Sequence, residues 1–141
     1  MALVANPYAS QDLFIASEVS DRMSDLVSRS DKDGSKPFSR QVDAWWFAMC
    51  IGIRQGQRTK LPDRTVKFND GGILATDPWR ITQLELLTLS ELGLEALQTP
   101  ATTIRMATEY AHTGFSWLLE AVLGAAEPNL TLLNALDELM E

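Results

Sequence analysis

Phe38–Lys60 reads FSRQVDAWWFAMCIGIRQGQRTK, an apolar and aromatic run that passes directly into a glycine-punctuated cationic tail. Val42, Trp45, Trp46, Met49 and Ile53 recur at three- and four-residue spacing. Phe47, Ala48, Cys50 and Ile51 extend the apolar surface around the cylinder, so the pattern predicts a helix from an N-cap at Ser39 to about Gln55. A helix apolar on so many sides belongs at the centre of a fold. Gly56 suits the left-handed conformation of a C-terminal cap, and Arg54 stands near the negative end of the helix dipole.

Outward from this run, the other elements announce themselves by their ends. Ser10 offers a cap for a helix over about Gln11 to Arg29, with Leu13, Phe14, Met23, Leu26 and Val27 as its apolar positions. Ser30–Pro37, SDKDGSKP, has the composition of a loop. Gln57–Ala75 reads as an irregular, mobile connector, within which Thr65–Phe68 and Ile73–Leu74 flank Asn69-Asp70-Gly71-Gly72 as a small hairpin or a plain loop. Asp77-Pro78 starts a helix to about Leu92 that Gly93 ends, and Thr99-Pro100 starts a long one to about Leu123 that Gly124 closes. LTLLNALDELM, entered through Pro128 and Asn129, adds a short amphipathic helix. The expectation is an all-α fold, one domain over residues 1–141 with about five helices and a loop-rich connector.

Composition agrees with an ordinary folded chain. At 141 residues, 45% apolar and 22% charged, it is long enough to bury a core without metal or disulfide support. The single cysteine, Cys50, lies within the apolar run and reads as a small buried hydrophobe. That usage, with no signal-peptide pattern in MALVANPYASQDLF and no run of about 18 apolar residues, fits a cytoplasmic protein.

The net charge of −7 hides a division. From Arg22 to Lys67 lie ten of the twelve cations against five acids, a local balance of +5; from Ile81 onward there are nine acids and only Arg105, a balance of −8. A cationic and an anionic face are expected, each able to steer a charged partner.

Catalytic chemistry finds little to work with. His112 is the only histidine, and Cys50 in a buried helix would not readily become a thiolate, so neither a Ser-His-Asp nor a Cys-His site is expected. One cysteine and one histidine cannot supply a Cys/His metal site. Asp31 and Asp33 before Gly34 lack the glutamate that a calcium loop needs. Gly52-Ile53-Arg54-Gln55-Gly56 has no preceding strand, and no Walker Gly-Lys-Ser/Thr occurs, so these glycines read as turn formers. No catalytic residue, metal or cofactor is expected; an enzyme built on scattered carboxylates is the remaining exception.

The cationic tail is therefore the surface with a functional claim. Arg54, Arg58, Lys60, Arg64 and Lys67 suit contact with an acidic protein or with phosphates, and protein contact fits the overall acidity better. Trp45 and Trp46 stand about 100° apart on a helix, so one suits the core and the other, Trp46, a partner. Trp46, Arg54, Arg58, Lys60 and Arg64 are the expected partner-binding residues.

Phe38–Arg58, closing on Ile51-Gly52-Ile53-Arg54-Gln55-Gly56-Gln57-Arg58, and the later Glu109-Tyr110-Ala111-His112-Thr113-Gly114-Phe115 together resemble the small helical proteins encoded beside bacterial DNA phosphorothioation (Dnd) systems. The order of elements is similar too: apolar helix, basic glycine turn, variable connector, then the helix with Glu-Tyr-Ala. The likeness spans about residues 20–140 and brings no catalytic residues with it. It implies an accessory role in DNA modification or anti-phage defence, in contact with a larger subunit of such a complex. A direct nucleic-acid-binding protein or regulator using the basic patch is the alternative.

Overall fold

The computed structural model describes residues 5–28 and 36–141. Its first element is a strand, β1, at Asp12–Ala16, followed by a short helix, α1, at Ser17–Asp21 and a 3-10 turn at Met23–Asp25. This corrects the continuous helix expected from Gln11 to Arg29, whose last residue lies outside the described residues. Leu13 and Ile15 are buried while Asp12 and Phe14 are exposed, the two-residue period of a half-buried strand. Five residues are too few for that period to stand out against a longer helical spacing.

Strand β2, Thr65–Asp70, runs antiparallel to β1, pairing Phe14 with Lys67, Ile15 with Val66 and Ala16 with Thr65. The register slips between Leu13 and Phe14, and Phe68 packs its ring 6.0 Å from that of Trp45. The all-α expectation is corrected accordingly: the chain is mainly helical and carries a two-stranded antiparallel sheet. The local hairpin is corrected as well. Thr65–Phe68 does extend, but its partner lies some fifty residues upstream, and Ile73–Leu74 falls in the 3-10 segment Gly71–Thr76.

Helices α2 (Gln41–Gln55), α3 (Trp79–Leu92), α4 (Pro100–Val122) and α5 (Pro128–Met140) follow their capping signals closely. The start of α2 is an exception, since the extended residue before it is Arg40 and no side chain caps it; Ser39 does not. Pro100 and Pro128 occupy first-turn positions, where a missing N–H costs nothing. Gly56, Gly93 and Gly124 follow α2, α3 and α4 with φ of 66°, 91° and 67°. Of the SDKDGSKP loop, residues 30–35 lie outside the described residues, as do Asp31, Asp33 and Gly34 of the rejected calcium loop. On either side of it, Val27 and Phe38 form a parallel bridge, with Phe38 N–H donating to Leu26 O at 2.9 Å.

α2 and α4 share the largest helix–helix interface. Trp45, Phe115, Leu118 and Met106 are buried between them and their neighbours, together with Ile81 and Leu84 from α3 and Leu13 from β1. Burial of a side chain such as Phe115 or Leu118 stabilises by roughly 1.5–3 kcal/mol. α3 is also tied to α4 by a hydrogen bond between the buried hydroxyls of Thr88 and Thr103, 2.7 Å apart, and the Thr88 hydroxyl is in addition a donor to Leu84 O at 2.7 Å. α5 is the most peripheral helix, with Leu132 buried and Leu136 packed on the core. Among the described residues no helix is long and apolar enough to cross a membrane.

Candidate functional site

The turn after α2 is built by hydrogen bonds that the glycine permits. Gly56 N–H donates to Ile53 O at 2.9 Å, and Gln57 N–H to Gly52 O at 3.2 Å, the paired closure of a Schellman cap. The chain then lies against α4. Arg58 donates from Nε and Nη2 to Glu109 Oε1 at 2.9 and 2.6 Å, and its guanidinium stands 6.0 Å from the Tyr110 ring centroid. Thr59 N–H donates to Glu109 O at 3.2 Å, while the hydroxyls of Thr59 and Thr113 meet at 2.6 Å. Tyr110 in turn donates to Glu91 of α3 at 2.6 Å. Burial, reinforced by that carboxylate, pushes the Tyr110 phenol up to about 12.

The two segments singled out in the sequence, Ile51–Arg58 and Glu109–Phe115, are thus one assembly. Their helices touch at glycines. A Cβ on Gly52 would stand 2.0 Å from Tyr110 O, and one on Gly114 only 1.7 Å from Ala48 O. Gly52 is therefore a contact surface rather than punctuation.

The cations divide by this geometry. Arg58 is neutralised by Glu109, and Lys67 pairs with Asp12 at 3.0 Å. The start of the connector is pinned, not mobile as expected. Arg54, Lys60 and Arg64 are exposed, and among the described residues their side chains have no ion-pair partner. Lys60 stands between two clefts. One, of about 510 Å³, also has Glu18, Arg22, His112 and Glu120 in its walls; the other, of about 370 Å³, has Phe14, Leu61 and Arg105. Desolvation lowers the His112 pKa against the opposing pull of Glu18.

Trp46 does not meet the solvent. Both indoles of the pair are buried, at 0% exposure for Trp45 and 8% for Trp46, so the expected division of labour between them is corrected. Trp79, 50% exposed, covers Trp46 edge-on at 5.5 Å. Buried Arg80 lies against both rings, 5.4 Å from Trp46 and 5.0 Å from Trp79. Its Nη2 donates to Asp43 Oδ1 at 2.7 Å, and Asp43 also receives Arg40. Arg80 Nη1 is 3.6 Å from Asp77, close enough for charge attraction but too long for a hydrogen bond, and Nε has no hydrogen-bond partner among the described residues. This cation organises the interior rather than a surface.

Cys50 is exposed, which corrects the buried position expected for it. It shares a face of α2 with Asp43, Phe47 and Arg54, whose burial is also incomplete. Nearby protein still desolvates the thiol and pushes its pKa up, so a thiolate remains disfavoured. Among the described residues no three His, Cys, Asp or Glu side chains converge on a metal-sized space.

Sequence reading missed two features of this surface. The Arg58–Glu109 pairing joins residues fifty-one positions apart and leaves no local signal. The exposed large apolar side chains were concealed by their resemblance to core positions: Trp79, Leu86, Leu89, Leu92, Leu94, Leu123, Leu130, Leu133 and Met140 are all exposed, and among the described residues only Phe14 and Val66 join them as large hydrophobic side chains from the rest of the chain. Comparison with known protein families, curated proteins and solved structures found no match for this chain.

Proposed function

We propose that this chain is a non-enzymatic accessory subunit that mediates protein–protein assembly in a bacterial DNA-modification or anti-phage defence complex. The observation that carries the assembly role is the amount of cationic and apolar side-chain surface left exposed. Arg54, Lys60 and Arg64 are exposed and have no ion pair among the described residues, and nine large apolar side chains from Trp79 onward, in the part of the sequence where acids outnumber cations, are exposed as well. Exposed large apolar side chains suit contact with a partner, and unpaired charges steer and orient docking. The DNA-processing setting is supported by the resemblance of Phe38–Arg58 and Glu109–Phe115, and the packing of those two segments against each other gives them a common structural purpose.

Affinity isolation of the tagged chain from its host, followed by identification of co-purifying proteins, tests the assignment. A larger DNA-processing or defence subunit is expected, and its recovery drops when Arg54 and Arg64 are replaced by Glu. A chain that stays solitary, or a partner of unrelated activity, overturns it.

Direct nucleic-acid binding is the second reading, favoured by the three unpaired cations. Phosphate contacts lose affinity steeply with salt, so a mobility-shift series across ionic strength decides: no shift at low salt removes this reading.

A further inference from the structure

α4 and α5 each contribute the same short pattern to the groove between them. From α4 come Trp117, Glu120 and Ala121; from α5 come Ala135, Glu138 and Leu139. Each set is spaced i, i+3, i+4, which places its three side chains along one helix face. The result is a groove of about 410 Å³ whose apolar floor is Trp117, Ala121, Ala135 and Leu139, bordered by an exposed carboxylate from each helix.

Neither carboxylate has a partner. Among the described residues Glu120 and Glu138 make no ion pair or side-chain hydrogen bond. The chain offers no cation after Arg105, while Glu127, Asp137 and Glu141 add to the negative field around α5. Partly buried Trp117 packs on the core from below and presents a fixed aromatic surface.

We infer that this groove docks a cationic amphipathic helix of a partner protein. Its apolar side chains lie on Trp117 and Leu139, and its Lys or Arg residues reach Glu120 and Glu138. Charge complementarity selects this occupant: an acidic or neutral helix would leave both carboxylates facing like charge or no charge. An arginine above Trp117 gains cation–π attraction in addition. The inference deepens the assembly role and rests on it, supplying the chemistry of one partner surface.

The test is titration of the isotopically labelled full chain with a synthetic helical peptide carrying leucines on one face and lysines on the other. Backbone amides around residues 117–121 and 135–139 are expected to shift saturably. The E120Q/E138Q variant, altered only at exposed side chains, is expected to bind about tenfold more weakly, as is the parent protein at high salt. A scrambled peptide of the same composition should leave these amides in place. Equal binding by the scrambled peptide, shifts elsewhere, or unchanged affinity in E120Q/E138Q overturns the inference, as does sedimentation showing that a second copy of the chain occupies the groove. If the natural partner is lost on charge reversal at Arg54 and Arg64 yet retained by E120Q/E138Q, the assembly role stands and the groove docking falls.

Discussion

Gly114 of α4 lies against Ala48 of α2 so closely that a methyl group on it would sit 1.7 Å from the Ala48 carbonyl oxygen. Gly52 repeats the relationship in the other direction, toward Tyr110. The two helices approach backbone to backbone because each offers a residue with no side chain where the other passes.

Gly114→Ala is therefore expected to destabilise by about 3 kcal/mol, although alanine has the better helix propensity by about 1 kcal/mol. The obstacle is backbone, which cannot rotate away. Gly56→Ala is the contrast: nothing lies within 4 Å of the added Cβ, and only the left-handed φ of 66° opposes it, at about 1–2 kcal/mol. Denaturant unfolding of both variants checks the order; a Gly114→Ala protein as stable as its parent would refute the close approach.

The Arg58–Glu109 pair is partly exposed, its side chains at 35% and 19%, yet two donors converge on one oxygen. A double-mutant cycle with Arg58→Ala and Glu109→Ala is expected to give a coupling of about 1 kcal/mol, the upper end for such pairs, and to shrink at high salt. Zero coupling at low salt would mean the turn is held by Thr59 and the glycine cap alone.

Asp43 is the hub of the charges around Trp46 and Trp79. Desolvation alone would raise its pKa, but the hydrogen bonds and charges of Arg40 and Arg80 outweigh that, and the pKa is lowered. A carboxylate with a lowered folded pKa contributes stability that is complete above its unfolded value of 3.8 and is lost as pH falls through the folded value. Asp43→Asn should cost about 3 kcal/mol near neutrality, because it leaves buried Arg80 without its closest countercharge. The variant should also lose less stability than its parent on acidification below about pH 4. Urea midpoints for both proteins across that range make the comparison.

His112 acts at higher pH. Desolvation holds its pKa below the ordinary 6.5, so the unfolded chain takes up this proton more readily than the folded one. Stability is expected to be complete above about pH 7 and to decline from about pH 6.5 to the lower folded value. His112→Gln should flatten that slope. Thermal unfolding of both proteins at about pH 7.5 and about pH 5.5 is the measurement; a parallel decline in the variant would place the acid sensitivity elsewhere.

Much of this architecture is legible one segment at a time. Pro78, Pro100 and Pro128 mark helix starts, Gly56, Gly93 and Gly124 mark ends, and the apolar spacing of α2 and α4 identifies the central pair. These signals are local: a backbone dihedral, a missing N–H and a helical period all act within a few residues. Charge segregation is likewise a property of the sequence.

Tertiary structure decided the rest, because the deciding partners are far apart along the chain. β1 becomes a strand by pairing with Thr65–Asp70, and Trp46 loses its surface because Trp79 covers it. The charge of Arg58 is taken up by its ion pair with Glu109, leaving Arg54, Lys60 and Arg64 to face outward. The groove of Trp117, Glu120, Glu138 and Leu139 exists only once α5 lies along α4. Side-chain type and spacing say what a residue is able to do; whether it still faces solvent depends on contacts that form only when distant segments share one core.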